Sequence, residues 1–137
     1  TFLAAAGLIR LGLQVHITAL IEVDDMLPAL AQGAIGIEIA EGSHIAEIVA
    51  KIDHVQSNVA VTCERAFMAA LDGSCRTPIA GYATVKDGTI TFNREALTLD
   101  GKHVFKASRQ GTVADAERLG LQAGEEVRGL GGSLLTL

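Results

Sequence analysis

With 137 residues, the chain is long enough for one domain, or for a small domain with part of another. Apolar residues make up 49% of it and charged residues 20%, a balance that is typical of a folded protein and argues against a disordered one. The net charge of −5 argues against a nucleic-acid partner, and no apolar run approaches the roughly 18 residues of a membrane span.

The first part of the chain, residues 1–54, shows helix and strand patterns in alternation. A helix ending before Gly12 is predicted from residues at helical spacing: Leu3, Ala4, Gly7, Leu8 and Leu11. Alternating residues 17–23 predict a short strand, and residues 34–40 (AIGIEIA) predict a buried one. A second helix, with Ser43 as its N-cap, is predicted from Ile45, Ile48, Val49 and Ile52. Because the first residues already have the pattern of a helix interior, we expect the C-terminal part of a longer protein.

The second part, residues 55–137, begins with a predicted helix whose C-cap is Gly73. Its apolar face consists of Val59, Cys63, Ala66, Phe67, Ala70 and Leu71. Strand-like runs follow at residues 79–85, 89–99 and 103–109. Asp-Gly pairs at positions 87–88 and 100–101 separate these runs, and such pairs are a strong hairpin signal. The pattern therefore predicts a three-stranded antiparallel meander.

A last helix is expected after the meander. Thr112 with Asp115 gives it a start that resembles a capping box, and it is predicted to run to about Arg128. Helix, three strands and helix make a small α+β domain in which the helices pack on one face of the sheet. The boundary between the two parts of the chain is predicted near residues 53–57.

Cys75 is the first candidate for chemistry. It lies in residues 72–78 (DGSCRTP), a Gly-containing loop between a helix and a strand, and loops on rigid scaffolds often carry reactive groups. Arg76 would favour its thiolate, whereas the C-terminal end of the preceding helix would disfavour that anion. An ordinary small residue in a turn is the alternative interpretation. Cys63, on the apolar face of a helix, is interpreted as core packing.

Arg10 and the pair Gln32 and Gly33 are further candidates. The planar guanidinium of Arg10 suits carboxylates, although an Arg in the last turn of a helix can also simply be solvated. Gly33 could let a ligand approach the backbone, or could serve the turn alone.

Two cysteines without metal-type spacing predict neither a disulfide framework nor a metal site, so a reducing cytoplasm is the simplest setting.

Four segments, taken together, resemble the porphobilinogen deaminase family, also called the hydroxymethylbilane synthases. They are residues 3–13 (LAAAGLIRLGL), 26–38 (MLPALAQGAIGIE), 61–67 (VTCERAF) and 72–83 (DGSCRTPIAGYA). One such match would be weak, whereas four in the family's order, spread over nearly the whole chain, are specific. The chain departs from the family pattern at Ala31 and Ser74, where Gly is usual.

The resemblance implies a three-domain enzyme that joins four porphobilinogen units into hydroxymethylbilane with loss of ammonia. The growing pyrrole chain is built on a dipyrromethane cofactor, whose thioether attachment the resemblance places on Cys75. Arg10 would bind acetate and propionate groups of the cofactor or substrate, since an Arg suits the two carboxylates of each pyrrole ring. The other residues that the resemblance places at the cofactor cleft are Ala4, Gly7, Gln32 and Gly33.

By the same resemblance, the fold is α/β. Residues 1–54 would hold the end of domain 2 and a strand and helix returning to domain 1, a helix-strand-helix remnant of two periplasmic-binding-protein-like domains. Residues 55–137 would be the whole of domain 3.

The family's catalytic Asp lies upstream, so no residue of this chain is assigned a catalytic role. The partner of residues 1–54 is the N-terminal half of the enzyme, so these residues are expected to expose apolar surface in the chain alone. The parent enzyme is expected to be a cytoplasmic monomer.

Two other functions stay open on the residues alone. One is a stand-alone, non-enzymatic α/β module that binds a partner and leaves Cys75 unmodified. The other is a thiol enzyme with Cys75 as nucleophile, which needs a general base that no His is placed by sequence to provide.

Overall fold

Across the residues that the structure describes, four α-helices and three strands form, with short 3-10 turns between some of them. The structure, a computed structural model, describes residues 1–71 and 78–132. In chain order the elements are α1 (Ala5–Arg10), α2 (Ala46–Val49), α3 (Val55–Ala70), β1 (Ile79–Lys86), β2 (Thr89–Leu97), β3 (Val104–Thr112) and α4 (Ala116–Gly131). Among these described helices, none is both long enough and apolar enough to cross a membrane.

The three strands form an antiparallel sheet in the order β1-β2-β3, which confirms the predicted meander. In its register Tyr82 pairs with Asn93, which pairs in turn with Ser108. Asp87 and Gly88 have positive φ angles of 49° and 75°. This is the conformation that a two-residue hairpin turn between right-twisted strands requires. The first Asp-Gly pair therefore makes the turn that its sequence predicted.

The second Asp-Gly pair lies in a longer loop, so β2 ends at Leu97, two residues earlier than predicted. The Thr98 hydroxyl donates to the Asp100 carboxylate over 2.6 Å, and the Lys102 amide donates to the same oxygen over 3.1 Å. These bonds compete with the strand ladder for the backbone after Leu97. β3 instead continues to Thr112, three residues beyond its predicted end.

Helices α3 and α4 pack on one face of the sheet, as predicted, and the core lies between them. The rings of Phe67 and Phe92 meet edge to face with centroids 5.3 Å apart. Around them the buried core residues are Cys63, Leu71, Ala83, Ile90, Ala96, Ala116, Leu119, Ala123 and Val127. The opposite face of the sheet carries polar side chains such as Thr91 and Asn93, as alternation along a strand requires.

Two glycines let α3 and α4 approach each other closely. A Cβ at Gly120 would lie 2.1 Å from the carbonyl oxygen of Cys63, and one at Gly124 would lie 2.5 Å from the Cβ of Ala70. Both distances are far inside van der Waals contact, so a side chain at either position would push the helices apart. The close helix crossing therefore depends on these two glycines of α4.

An arginine is buried between the sheet and α4. The side chain of Arg94 on β2 is fully covered, and its guanidinium pairs with the Glu126 carboxylate. The same carboxylate accepts a hydrogen bond from Nε of Arg109 over 2.9 Å. Nε and Nη1 of Arg94 have no hydrogen-bond partner among the described residues. Burial lowers the pKa of Arg94 below its usual value, and Glu126 opposes that shift. The buried charge therefore depends on this carboxylate.

The last helix begins at Ala116, somewhat later than predicted. The Thr112 hydroxyl donates to the Asp115 carboxylate over 2.8 Å, and a 3-10 turn over Val113–Asp115 precedes α4. The predicted pair therefore closes this turn through its side chains and does not cap α4. At its other end α4 continues to Gly131, three residues beyond the predicted end.

The first part of the chain forms less regular structure than predicted. Helix α1, with Gly12 at a φ of 71° beyond its end, confirms the first predicted helix. Residues 17–23 and 34–40, however, form no strand. A strand needs a neighbour for its backbone N–H and C=O groups, and no described segment pairs with these residues. Both strand predictions are wrong for this chain, and the periplasmic-binding-protein-like remnant stays a prediction.

The second predicted helix is short. Helix α2 continues only as a 3-10 turn over Ala50–Ile52. The Ser43 hydroxyl accepts the Ile45 amide over 3.2 Å, just before α2 begins. None of residues 1–54 is buried, which confirms the expected apolar exposure; Ile35, for example, is 91% exposed.

Candidate functional site

The predicted loop that carries Cys75 lies outside the described residues. Residues 72–77 contain four positions that the sequence singled out: Gly73, Ser74, Cys75 and Arg76. The elements that flank this loop are described, since α3 ends at Ala70 and β1 begins at Ile79. The guanidinium of Arg128 on α4 donates to the Ala70 carbonyl, which holds the end of α3 that leads into the loop.

Gln32 and Gly33, here called the Gln-Gly turn, follow a segment that docks on both flanking elements. The amide of Ala31 donates to Oε2 of Glu64 on α3 over 2.6 Å. The amide of Gly81 on β1 donates to the Pro28 carbonyl over 3.0 Å. A turn that the sequence singled out is thus attached to the scaffold on either side of the cysteine loop.

Gly81 provides the room for this attachment. A Cβ at this position would lie 2.7 Å from Cδ2 of Leu30 and 2.8 Å from the Phe92 ring. Leu30 itself packs against the core, although it belongs to the first part of the chain. A residue larger than Gly at position 81 would therefore push Leu30 away from the sheet.

Glu64 is a buried carboxylate that the sequence analysis did not single out. It is 5% exposed, and its second carboxylate oxygen, Oε1, accepts the amide of Ala83 on β1 over 2.8 Å. Burial raises its pKa above the usual value, and the hydrogen bonds from the Ala83 and Ala31 amides oppose that shift. A signal was present, because Glu64 follows Ala60 and precedes Phe67 on one helical face. A charged residue on an apolar helix face is rarely buried without a partner, so the sequence could have indicated that Glu64 binds a specific group.

Ala31 adopts a left-handed conformation with a φ of 57°. This conformation costs a residue with a Cβ roughly 1–2 kcal/mol, whereas Gly adopts it readily. Gly33, two residues later, also has a positive φ, of 81°. The structure therefore places a strained alanine at the point where Glu64 holds the backbone.

Ala4, Gly7 and Arg10 lie together on α1 and its N-cap, spaced by three residues. All three are exposed, and a Cβ at Gly7 would meet nothing within 4 Å. In the described ranges, no hydrogen bond or ion pair joins the Arg10 side chain to the Gln-Gly turn. The structure thus groups the three α1 positions on one short helix and its N-cap.

A cleft of about 880 Å³ opens between residues 31–37, the α2 segment and the N-terminal half of α3. Such a volume is typical of sites for small organic ligands. Gly33 lines it, as do the polar side chains of Asn58 and Arg65. Gln32 and the three predicted positions on α1 are not among the described lining residues. The cleft therefore includes one of the predicted cofactor-binding residues.

Cys63 is a core residue, as predicted. It is fully buried, and burial, assisted by the neighbouring Glu64 charge, raises the pKa of its thiol to about 12. The thiolate, which is the reactive form, is thus suppressed near neutral pH. Its burial and its raised pKa therefore disfavour a nucleophilic role for Cys63 in the folded chain.

Both parts of the chain match models of one protein family. Residues 1–47 match the model described as "Porphobilinogen deaminase, dipyromethane cofactor binding domain". Residues 58–129 match the model described as "Porphobilinogen deaminase, C-terminal domain". Arg10 and the Gln-Gly turn fall within the first match, and Cys75 falls within the second.

Individual relatives agree with the family models. The chain is 47% identical over 131 residues to the chloroplastic porphobilinogen deaminase of Pisum sativum, covering 93% of this chain and 36% of that protein. It is 46% identical over 130 residues to porphobilinogen deaminase of Paracoccus denitrificans, covering 94% of this chain and 42% of that protein. It is 40% identical over 126 residues to porphobilinogen deaminase of Syntrophobacter fumaroxidans, covering 91% of this chain and 41% of that protein. The chain thus spans roughly two fifths of the length of these relatives, and it belongs to the porphobilinogen deaminase family.

Proposed function

We propose that this chain is the cofactor-anchoring part of a porphobilinogen deaminase, which joins four porphobilinogen units into hydroxymethylbilane with release of ammonia. The observation that carries the proposal is the succession of two family models along the chain, one of them a cofactor-binding domain. The hydrogen bond from Ala31 to Glu64 supports it, because it connects the two matched regions.

The residues of the chain fit a dipyrromethane group in chemistry and in access. Arg10 offers an exposed guanidinium, and Gly7 and Gly33 leave open space where other residues carry a Cβ. In the proposal, Cys75 holds the cofactor through a thioether, and Arg10 binds its acetate and propionate groups. In the same proposal Ala4, Gly7, Gln32 and Gly33 also line the cofactor site, and of these four residues Gly33 lines the 880 Å³ cleft of the chain alone. When bound, the cofactor supplies the pyrrole terminus on which the product grows.

The proposal assigns the proton chemistry to another part of the enzyme. A catalytic Asp there would stabilise the positive charge that develops as ammonia leaves, so its carboxylate must lie near the reacting pyrrole. Residues 1–54 would complete the first two domains by packing on that N-terminal half, and residues 55–137 would form the third domain. The complete enzyme is proposed to be a cytoplasmic monomer.

Mass spectrometry of the intact full-length protein tests the attachment. In cells that make porphobilinogen, we expect a mass excess that maps to the Cys75 peptide and absorbs as pyrrole. Cys75→Ser should abolish the adduct, because a thioether requires the sulfur, while the circular dichroism spectrum stays unchanged. Cys63→Ala is the matched control and should keep the adduct, since the Cys63 thiol is buried with a pKa of about 12.

Two outcomes would contradict this assignment. An adduct that survives Cys75→Ser would place the attachment elsewhere. A bare Cys75 thiol in protein from cofactor-competent cells would favour the alternative of a partner-binding module.

The 137-residue chain alone is expected not to turn over porphobilinogen. The proposed catalytic carboxylate and most of the proposed carboxylate-binding residues are supplied by the other half of the enzyme. Ammonia release by the purified chain, measured in a coupled assay beside the full-length protein, should equal the buffer blank. Release above the blank would show that the chain holds its own catalytic group.

A further inference from the structure

The Glu64 carboxylate is buried without a cation among the described residues. No Lys, Arg or His of residues 1–71 and 78–132 forms an ion pair with it. An unpaired buried charge is costly, and an apolar residue on this face of α3 would be cheaper for folding alone. The raised pKa of Glu64 agrees that its ionised form is disfavoured by burial. Among the described residues, the partners of this carboxylate are two backbone amides, those of Ala31 and Ala83.

The two carboxylate oxygens connect three separate pieces of the chain. Glu64 itself lies on α3, Oε1 accepts the amide of Ala83 on β1, and Oε2 accepts the amide of Ala31. Strand β1 is an edge of the sheet, and the amides of Gly81 and Ala83 point away from β2. An open edge would leave these donors unpaired. The segment before the Gln-Gly turn and the Glu64 carboxylate together cover this edge.

The hydrogen bond between Ala31 and Glu64 also holds the backbone at Ala31 in an unfavourable conformation. Ala31 has a φ of 57°, which is unfavourable for an alanine. Its amide makes a short, charge-assisted bond of 2.6 Å, among the stronger hydrogen bonds in proteins. Without that acceptor, the strained residue and the Gln-Gly turn after it would lose their fixed position.

We propose that Glu64 is a positioning residue that fixes the Gln-Gly turn relative to the two elements flanking the cysteine loop, α3 and β1. This inference rests on the proposed function, in which that turn lines the site of a cofactor held by Cys75. Glu64 acts through the Ala31 backbone and touches no reacting group.

Hydrogen exchange of the 137-residue chain tests the positioning itself. In Glu64→Gln, the side-chain oxygen of the glutamine can accept from only one of the two backbone N–H groups that Glu64 serves. The NH₂ group of the glutamine side chain cannot accept a hydrogen bond. We expect the Ala31 or Ala83 amide to exchange about tenfold faster or more, with the Phe92 amide unchanged as the core reference. The matched control Glu117→Gln, at an exposed position of α4, should leave all three amides unchanged.

A second substitution tests the route through the backbone. Adding Ala31→Gly to Glu64→Gln removes the strain at Ala31, so the turn no longer needs the carboxylate. In the full-length enzyme, Glu64→Gln should lower the initial rate about tenfold, and the double substitution should restore most of it. A residue that only packs in the core would not be rescued by a glycine in another segment.

Each arm has a result that overturns it. Unchanged exchange at both amides in Glu64→Gln would refute the positioning, whether or not Cys75 carries a cofactor. If Glu64→Gln speeds amide exchange but leaves the initial enzymatic rate unaltered, Glu64 does not act on the cofactor site. The same conclusion follows if the enzymatic rate falls and Ala31→Gly does not restore it. If Cys75 carries no adduct in the unsubstituted enzyme, the proposed function fails while the exchange result stands.

Discussion

Gly120→Ala is expected to destabilise the chain by roughly 2 kcal/mol. The added Cβ would lie 2.1 Å from the carbonyl oxygen of Cys63 and 2.8 Å from the Cβ of Ala66. The first of these atoms is backbone, so the clash is relieved only by moving α4 away from α3. Overpacking of this kind costs about 1–3 kcal/mol or more, which exceeds the roughly 1 kcal/mol gained in helix propensity. Urea denaturation followed by circular dichroism measures the difference.

Gly129→Ala is the matched control for this prediction. It lies on the same helix, is exposed, and a Cβ there would meet nothing within 4 Å. It should therefore keep or raise stability, by up to about 1 kcal/mol, through helix propensity alone. Equal unfolding midpoints for the two variants would show that α3 and α4 are not in close contact.

Glu126→Gln is expected to cost about 2–3 kcal/mol of folding free energy. It removes the charge that compensates the buried guanidinium of Arg94, two of whose nitrogens have no other partner among the described residues. Breaking a buried pair typically costs about 3–5 kcal/mol, and we take a smaller value because the Glu126 side chain is 36% exposed. Arg109, its other partner, is more exposed and can turn to solvent.

Removing both charges should restore most of that loss. In the double variant Arg94→Met with Glu126→Gln, no buried charge is left uncompensated, and pairs replaced in this way are often neutral. Glu125→Gln, at an exposed neighbouring position, is the control and should change stability little. If Glu126→Gln behaves like Glu125→Gln in urea denaturation, the guanidinium of Arg94 does not depend on this carboxylate.

Local signals predicted the second part of the chain well. The first Asp-Gly pair fixes its hairpin turn through its own backbone preferences, and the second marks the loop between β2 and β3, so the meander follows from nearby residues. The end of β2 was misplaced because Asp100 competes for the backbone through its side chain, which alternation does not report. The strands predicted at residues 17–23 and 34–40 failed for another reason. Alternation shows which side chains a strand would bury, but the partner strand has to come from elsewhere.

The candidate site was accessible to sequence reasoning only in part. The spacing of residues on α3 could have shown that Glu64 faces inward, but not that its partners are backbone amides of Ala31 and Ala83. Those contacts join distant segments, which no local pattern encodes. The roles expected for Cys75 and Arg10 come from the family resemblance, since neither residue lies in a spacing that specifies a ligand.

The placement of α4 has a consequence for the order in which the protein acquires its structure during synthesis. The apolar face of the meander is covered by α3 and α4 together, and α4 follows the whole sheet in the chain. While the ribosome still holds α4, Phe92 and Ile90 have only α3 to cover them. Nascent chains at this stage expose apolar surface and are the usual clients of chaperones. The helix layer can therefore close over the sheet only when α4 has left the exit tunnel.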